Sequence, residues 1–312
     1  DDDRRDGYRG SSGQKPDLCN LGETLRNGGD ADKVITALQR RGILVSPEDY
    51  VVALQSLGKA GLWSEALSVL NRKLREPFKA HAAMYSALVA SMGDSQWRLA
   101  LGLLEAARQR EVELDTTLVN TVISACGRAS QWARSLALLG SFSVLDLAPD
   151  TVSFNAAIEA CKSAGRWQLV LELLEGMWMS GAPPNILTYN GAMWSCGRAQ
   201  GWALALSLMR EVWLGGLHPT MVTYNAAIFA CGRGLQWQKA LVLLAEAQFN
   251  GLDPNVQAYC SAINACGQAE QWQHSLQLIT DMSGHSLWPD VRTYNAAISA
   301  CGRGRGAWCQ VP

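Results

Sequence analysis

Two stripes of apolar residues alternate along this chain and return every 35 residues. Phe154, Ala157, Ile158 and Cys161 fall at i, i+3, i+4 and i+7, which draws one face of an amphipathic helix. The stripe recurs as Tyr189, Ala192, Met193, Cys196 and as Tyr224, Ala227, Ile228, Cys231. After a short polar break, Trp167, Val170, Leu171 and Leu174 form a second stripe, repeated as Trp237, Ala240, Leu241, Leu244. The pattern predicts a helical hairpin in each unit. A lone hairpin cannot bury both stripes, so stacked copies must supply the core.

Punctuation follows the same period. Ser153, Thr188, Thr223 and Thr293 precede the aromatic residue and are expected to cap the first helix. The break between helices is expected at Lys162 to Arg166, and at a Cys-Gly-Arg turn in most other units. Gly181, Gly216 and Gly251 stand where the second helix should end, three residues before a periodic proline. Full units read as 116–150, 151–185, 186–220, 221–255 and 256–290. Upstream, 82–115 is one residue short in the turn before Trp97, and 47–81 is a degenerate copy. Residues 1–46 form an N-terminal segment whose Val34, Ile35 and Leu38 suggest a degenerate cap. A last unit, 291–312, begins correctly and lacks its second stripe, which reads as truncation and leaves an apolar face uncovered.

Composition changes this picture little. The net charge is -1, with 18% charged residues. No apolar run approaches the ~20 residues of a membrane span, so no membrane partner is expected. The chain starts at Asp1, and any targeting segment would lie upstream. Six cysteines, Cys126 to Cys301, share one place in the period. Packed helix axes stand ~8–10 Å apart, while a disulfide needs Cα atoms within about 7 Å. These cysteines are therefore expected as buried thiols. The four histidines are scattered, no metal-ligand spacing occurs, and no His-x-Glu with Cys-x-x-Cys marks a deaminase. No catalytic constellation or cofactor motif competes with the repeat, and the chain does not read as an enzyme.

The period, with Trp opening the second helix, differs from the tetratricopeptide pattern, which has 34 residues and Trp in its first helix. Val-Thr-Tyr-Asn-Ala-Ala-Ile (Val222 to Ile228), the Cys-Gly-Arg segment and Gly-Leu-Asp-Pro-Asn (Gly251 to Asn255) closely resemble the pentatricopeptide repeat family over about residues 47 to 305. The resemblance implies an all-α fold, a right-handed α-solenoid superhelix of tandem helix–turn–helix repeats. It also implies binding of single-stranded RNA at one base per repeat, with organellar transcripts, in chloroplast or mitochondrion, as the usual ligands. RNA-processing proteins are implied as further partners.

Asn120, Asn155, Asn190, Asn225 and Asn295 occupy the first turn of the first helix. Asn is a poor helix former, and its amide offers both a donor and an acceptor, as a base edge requires. Helix capping is the alternative. The resemblance pairs this residue with the last residue of its repeat. Asn120 with Asp150 then favours U, while Asn155 with Asn185 and Asn225 with Asn255 favour C with U tolerated. Asn190 with Thr220 implies a pyrimidine bias, and Ser86 with Asp115 suggests G. Cys260 with Asp290 departs from the pattern and reads no base that can be named.

A basic row, Arg128, Lys162, Arg198, Arg233 and Arg303, is expected beside the Asn row, tracking phosphates. A solvated turn residue is the alternative. Against easy RNA binding, residues 116–290 hold eight Lys and Arg to eleven Asp and Glu. Most of the acids fall on second helices and loops, so the signs can segregate to opposite faces, except at Glu159. The periodic tryptophans are expected in the core. Trp194 and Phe229, four residues after the Asn, are placed to stack on RNA or narrow the groove. A protein-binding scaffold without RNA reading is the alternative function.

Overall fold

The computed structural model describes residues 46–73 and 82–303. The suggested N-terminal cap through Val34 to Leu38 lies outside them. Among the described residues there are fifteen α-helices and no strand. They fall into two compact units, ending at Ala148 and beginning at Pro149.

The N-terminal unit contains α1 (Pro47–Lys59), α2 (Trp63–Lys73), α3 (Ala82–Ala90), α4 (Trp97–Gln109), α5 (Thr116–Arg128) and α6 (Trp132–Gly140). The one-residue deletion has a local cost. Helix α3 stops at Ala90, and a 3-10 turn at Asp94–Gln96 leads into Trp97. Helix α6 is also short and passes into a 3-10 turn whose Phe142 is buried. The first helices α1, α3 and α5 pack in series.

The C-terminal unit is more regular. Its helices are α7 (Thr151–Ser163), α8 (Trp167–Met179), α9 (Ile186–Arg198), α10 (Trp202–Leu214), α11 (Met221–Arg233), α12 (Trp237–Phe249), α13 (Val256–Gln268), α14 (Trp272–Gly284) and α15 (Val291–Arg303). Each has 13 residues. The odd-numbered first helices pack directly on one another. The even-numbered second helices pack on the first helices either side of them rather than on each other. First helices thus form an inner layer and second helices a splayed outer one. Within each unit the architecture is an α-solenoid of tandem hairpins.

Small residues permit the inner layer. A Cβ on Gly197 would lie 3.0 Å from the Ala230 backbone, and one on Gly267 would lie 2.8 Å from Ala300 Cβ. The glycine of Cys-Gly-Arg is therefore a seam residue inside the last helical turn, not the turn itself. The actual reversals follow it, with Ser130, Gly165, Gln200, Leu235 and Glu270 in the left-handed region. Gly181, Gly216 and Gly251 adopt positive φ where the second helices end, as the pattern implies.

The apolar stripes form the core. Cys126, Cys161, Cys196, Cys231 and Cys266 are buried and free, and Cys301 is half-buried and free. Burial disfavours the thiolate and pushes Cys161, Cys196, Cys231 and Cys266 up to about 11. The tryptophans depart from expectation. They are half-buried at the second-helix layer, where the next repeat covers them. Lys239 Nζ sits 3.8 Å above the Trp202 ring, Arg134 lies 4.5 Å from Trp97, and His274 packs 4.9 Å from Trp237. On α15, the last described helix, Tyr294 and Ile298 are exposed. No described helix is long and apolar enough to cross a membrane.

Candidate nucleic-acid interface

The residue that closes each repeat is the true N-cap of the next first helix. Asp150 Oδ1 accepts from the Ser153 backbone N–H at 2.8 Å, and Asn185 Oδ1 from Thr188 at 3.0 Å. Asn255 Oδ1 accepts from Ala258 at 3.0 Å and Asp290 Oδ1 from Thr293 at 2.8 Å. Asp115 does the same for Leu118 in the N-terminal unit. This corrects the expected caps. Ser153, Thr188 and Thr223 are the reciprocal half of a capping box, accepting from the backbone N–H of Asp150, Asn185 and Thr220. Asp290 is a fully exposed cap, and its bonds from Thr293 hold its carboxyl below the usual range.

Two of the expected pairs meet. Asn155 Nδ2 points at Asn185 Oδ1 at 3.5 Å, and Asn225 Nδ2 donates to Asn255 Oδ1 at 3.3 Å. One oxygen thus caps a helix and also orients the first-turn Asn thirty residues earlier. Asn185 and Asn255 are themselves exposed.

Exposure along the Asn row is uneven. Asn155 is half-buried, and its Oδ1 accepts from Thr188 Oγ1 at 2.7 Å. Asn190 and Asn225 are only 6% and 4% exposed, deeper than an open reading edge requires. Both bury an Oδ1 with no hydrogen-bond partner in the protein. For Asn225 the reason is local: Ala258 stands where Thr188 bonds Asn155. Asn190 makes no bond to Thr220, whose hydroxyl lies 3.3 Å from that of Thr223. Asn295 is exposed on α15. In the N-terminal unit Asn120 is buried on α5, and the Ser86 hydroxyl is spent on the carbonyls of Ala82 and Ala83. Cys260 takes the Asn place in its repeat, where burial chiefly, and then the nearby Asp290 charge, push its thiol up.

The cations do not form the expected row beside the Asn. Eight residues separate Asn190 from Arg198, which turns the arginine about 80° from the Asn line. Arg198 Nη1 instead reaches back to the Lys162 carbonyl at 3.1 Å, and Arg128 Nη2 to the Met92 carbonyl at 3.3 Å. These bonds satisfy carbonyls near the C-terminal end of the preceding first helix. Arg233 lines a turn-edge cavity with Trp202 and Leu235. Lys162, seven residues after Asn155, does share the Asn face, where it pairs with Glu159. Arg303 ends α15, and its side chain lies outside the described residues.

Trp194 and Phe229 stack on each other across neighbouring repeats, centroids 4.2 Å apart. They bridge the inner layer, with each ring half-buried. Sequence reasoning missed this pairing because it joins two repeats. Charge does segregate within the C-terminal unit. First helices carry Lys162, Arg198, Arg233, Arg292 and Arg303 against Glu159, while second helices carry Glu172, Glu175, Glu211, Glu246 and Asp281 against Arg210 and Lys239. No cluster of metal-ligating side chains occurs among the described residues.

A tandem array of helical hairpins whose first helices pack directly on one another defines a helical-repeat protein. Its sequence matches the family model described as pentatricopeptide repeat domain at residues 138–199 and 242–304. It also matches the models pentatricopeptide repeat-containing protein at 30–142 and PPR repeat at 222–252. The chain belongs to the pentatricopeptide repeat family. No curated protein sequence matches it. Among solved structures it shares the fold of the pentatricopeptide repeat protein PPR10 from maize, with 23% identity and a TM-score of 0.62. That alignment covers 96% of this chain and 44% of PPR10, so the chain spans less than half of that protein's length. Nuclear proteinaceous RNase P 2 from A. thaliana aligns at 13% identity and a TM-score of 0.51, over 60% of this chain and 42% of the other.

Proposed function

We propose that this chain binds single-stranded RNA along the inner layer of first helices, one base per repeat, and performs no chemistry itself. Membership in a family whose repeats read one base each supports the reading. The observation that carries it is the meeting of Asn155 with Asn185 and of Asn225 with Asn255, each pair built from the two ends of one repeat. Two such pairs, two repeats apart on the layer whose helices also carry most of the cations, suit a strand of regularly spaced bases and phosphates.

The proposed reading residues are Ser86 with Asp115, Asn120 with Asp150, Asn155 with Asn185, Asn190 with Thr220 and Asn225 with Asn255. The proposed ligand is pyrimidine-rich, reading G-U-C-pyrimidine-C from 5′ to 3′ over repeats 82 to 255. Its proposed setting is an organelle, chloroplast or mitochondrion, in processing, stabilisation or translation of a transcript. Arg128, Arg198 and Arg233 at the turn edge and Lys162 on the Asn face are proposed, together with Arg303, to meet phosphates.

Fluorescence titration with labelled strands across a salt series tests this. Four or five phosphate contacts predict a slope of log K against log salt of about -3. Asn120→Thr should turn that repeat from U toward G, because Asp150 is kept, whereas Arg198→Ala should weaken all strands alike. Equal binding of polypurine and matched strands, with both variants behaving identically, would refute base reading.

A further inference from the structure

We infer that the channel between α8 and α10 is a docking groove for a basic amphipathic helix of a partner protein. The channel lies on the outer layer, where second helices leave space between them, and encloses about 210 Å³. Its floor is apolar and buried, formed by Leu174 and Leu208, and its walls are Leu171, Leu204 and Trp178. Trp178 is 60% exposed, which leaves its ring open to a partner. Met179, Trp213 and Leu214 extend the exposed apolar surface at the helix ends.

Charge selects the occupant. Glu175 and Glu211 line the groove, Glu172 lies on the same helix as Glu175, and Arg210 is the one cation on either helix. An apolar stripe flanked by Lys or Arg complements this lining, in the helix-in-groove mode. Nucleic acid and anionic lipid are repelled by it. The related channel between α12 and α14 is larger, at about 450 Å³, but Gln248, Thr280, Asp281 and His285 make it more polar. The groove faces away from the inner layer, and the inference stands independently of RNA reading.

The test uses the whole chain and a synthetic peptide of about 18 residues, five helical turns, with one leucine stripe and lysines elsewhere. Fluorescence anisotropy should show saturable binding, weakened at least about tenfold by Glu175→Lys with Glu211→Lys and by Leu204→Ser. Peptides with a scrambled stripe or with glutamate for lysine should not bind. Photo-crosslinks from the peptide in the unmodified protein should fall on α8 and α10, which needs no variant to fold. Equal binding of the scrambled peptide, crosslinks elsewhere or displacement by RNA would overturn the groove. Concentration-dependent dimers that the same variants abolish would make the occupant a second copy and overturn the partner.

Discussion

Within the C-terminal unit, the joint between α7 and α9 differs from the joints that follow it. From α9 to α15 the first helices meet through a glycine of one repeat and an alanine of the next: Gly197 with Ala230, Gly232 with Ala265, Gly267 with Ala300. Between α7 and α9 these places hold Lys162 and Ser195, and the helices pack more sparsely. The exposure of the candidate reading pair tracks the difference. Asn155, at the loose joint, is half-buried with its Oδ1 bonded to Thr188, while Asn190 and Asn225, at tight joints, are buried with an orphan acceptor. Access to a polar pair varies along with the seam residue at the end of the same helix. It does not follow from the pair alone.

The largest test converts one joint into the other. Gly197→Lys places a side chain against the Ala230 backbone and should cost ~1–3 kcal/mol in urea unfolding, the usual penalty of overpacking. A loss below the error of the measurement would show that the seam is not tight.

Next come the paired amides. Asn155→Ala removes the bonds with Thr188 and Asn185 and should cost ~1 kcal/mol. Asn225→Ala removes its one bond, to Asn255, together with a buried acceptor that has no partner, and should cost measurably less. Equal losses in parallel denaturation curves would remove the distinction between the two joints.

The reversals differ in the same sense. The hairpin of the loose joint turns at Gly165, whereas tight joints place Gln200, Leu235 and Glu270 at positive φ. Leu235→Gly should therefore gain ~0.5–1 kcal/mol, the side-chain strain less the entropy of glycine. A lower Tm for that variant would be the contrary result.

The smallest expected effect is no difference at all. Burial pushes Cys161 up to about 11, as it does Cys196, so the loosening should stop short of the core. Thiol labelling at neutral pH should find both slow, and tenfold faster labelling of Cys161 would place solvent in the core. Because these thiols ionise later in the folded chain than in the unfolded one, their contribution is complete below pH ~9 and fades toward pH ~11. Alkaline destabilisation in that window should shrink in Cys196→Ala.

The hairpins, the core cysteines and the glycines ending the second helices were legible because each depends on residues within one period. The caps were misread because a capping box is reciprocal. Asn185 and Thr188 both suit the N-cap on chemistry, and only the backbone decides which is outside the helix. Arg198 was misplaced because a shift of one position against Lys162 turns a side chain from the inner face to the turn edge. The burial of Asn190 and Asn225 and the Trp194–Phe229 stack arise between repeats. A reading of one unit at a time contains neither.

The bond from Arg198 to the Lys162 carbonyl crosses the sparsely packed joint. Because each repeat of a solenoid touches only its neighbours, its stability is a sum of unit and interface terms, and the weakest interface sets where cooperativity breaks. The loose joint makes repeats from 186 onward a candidate foldon, able to remain intact while α7 and α8 open. Native-state amide exchange should then show two protection levels meeting near residue 185, and Arg198→Ala should lower only the level of the α7–α8 hairpin. The repeat whose reading pair is most accessible is thus the one able to detach first, which couples access for a ligand to partial unfolding.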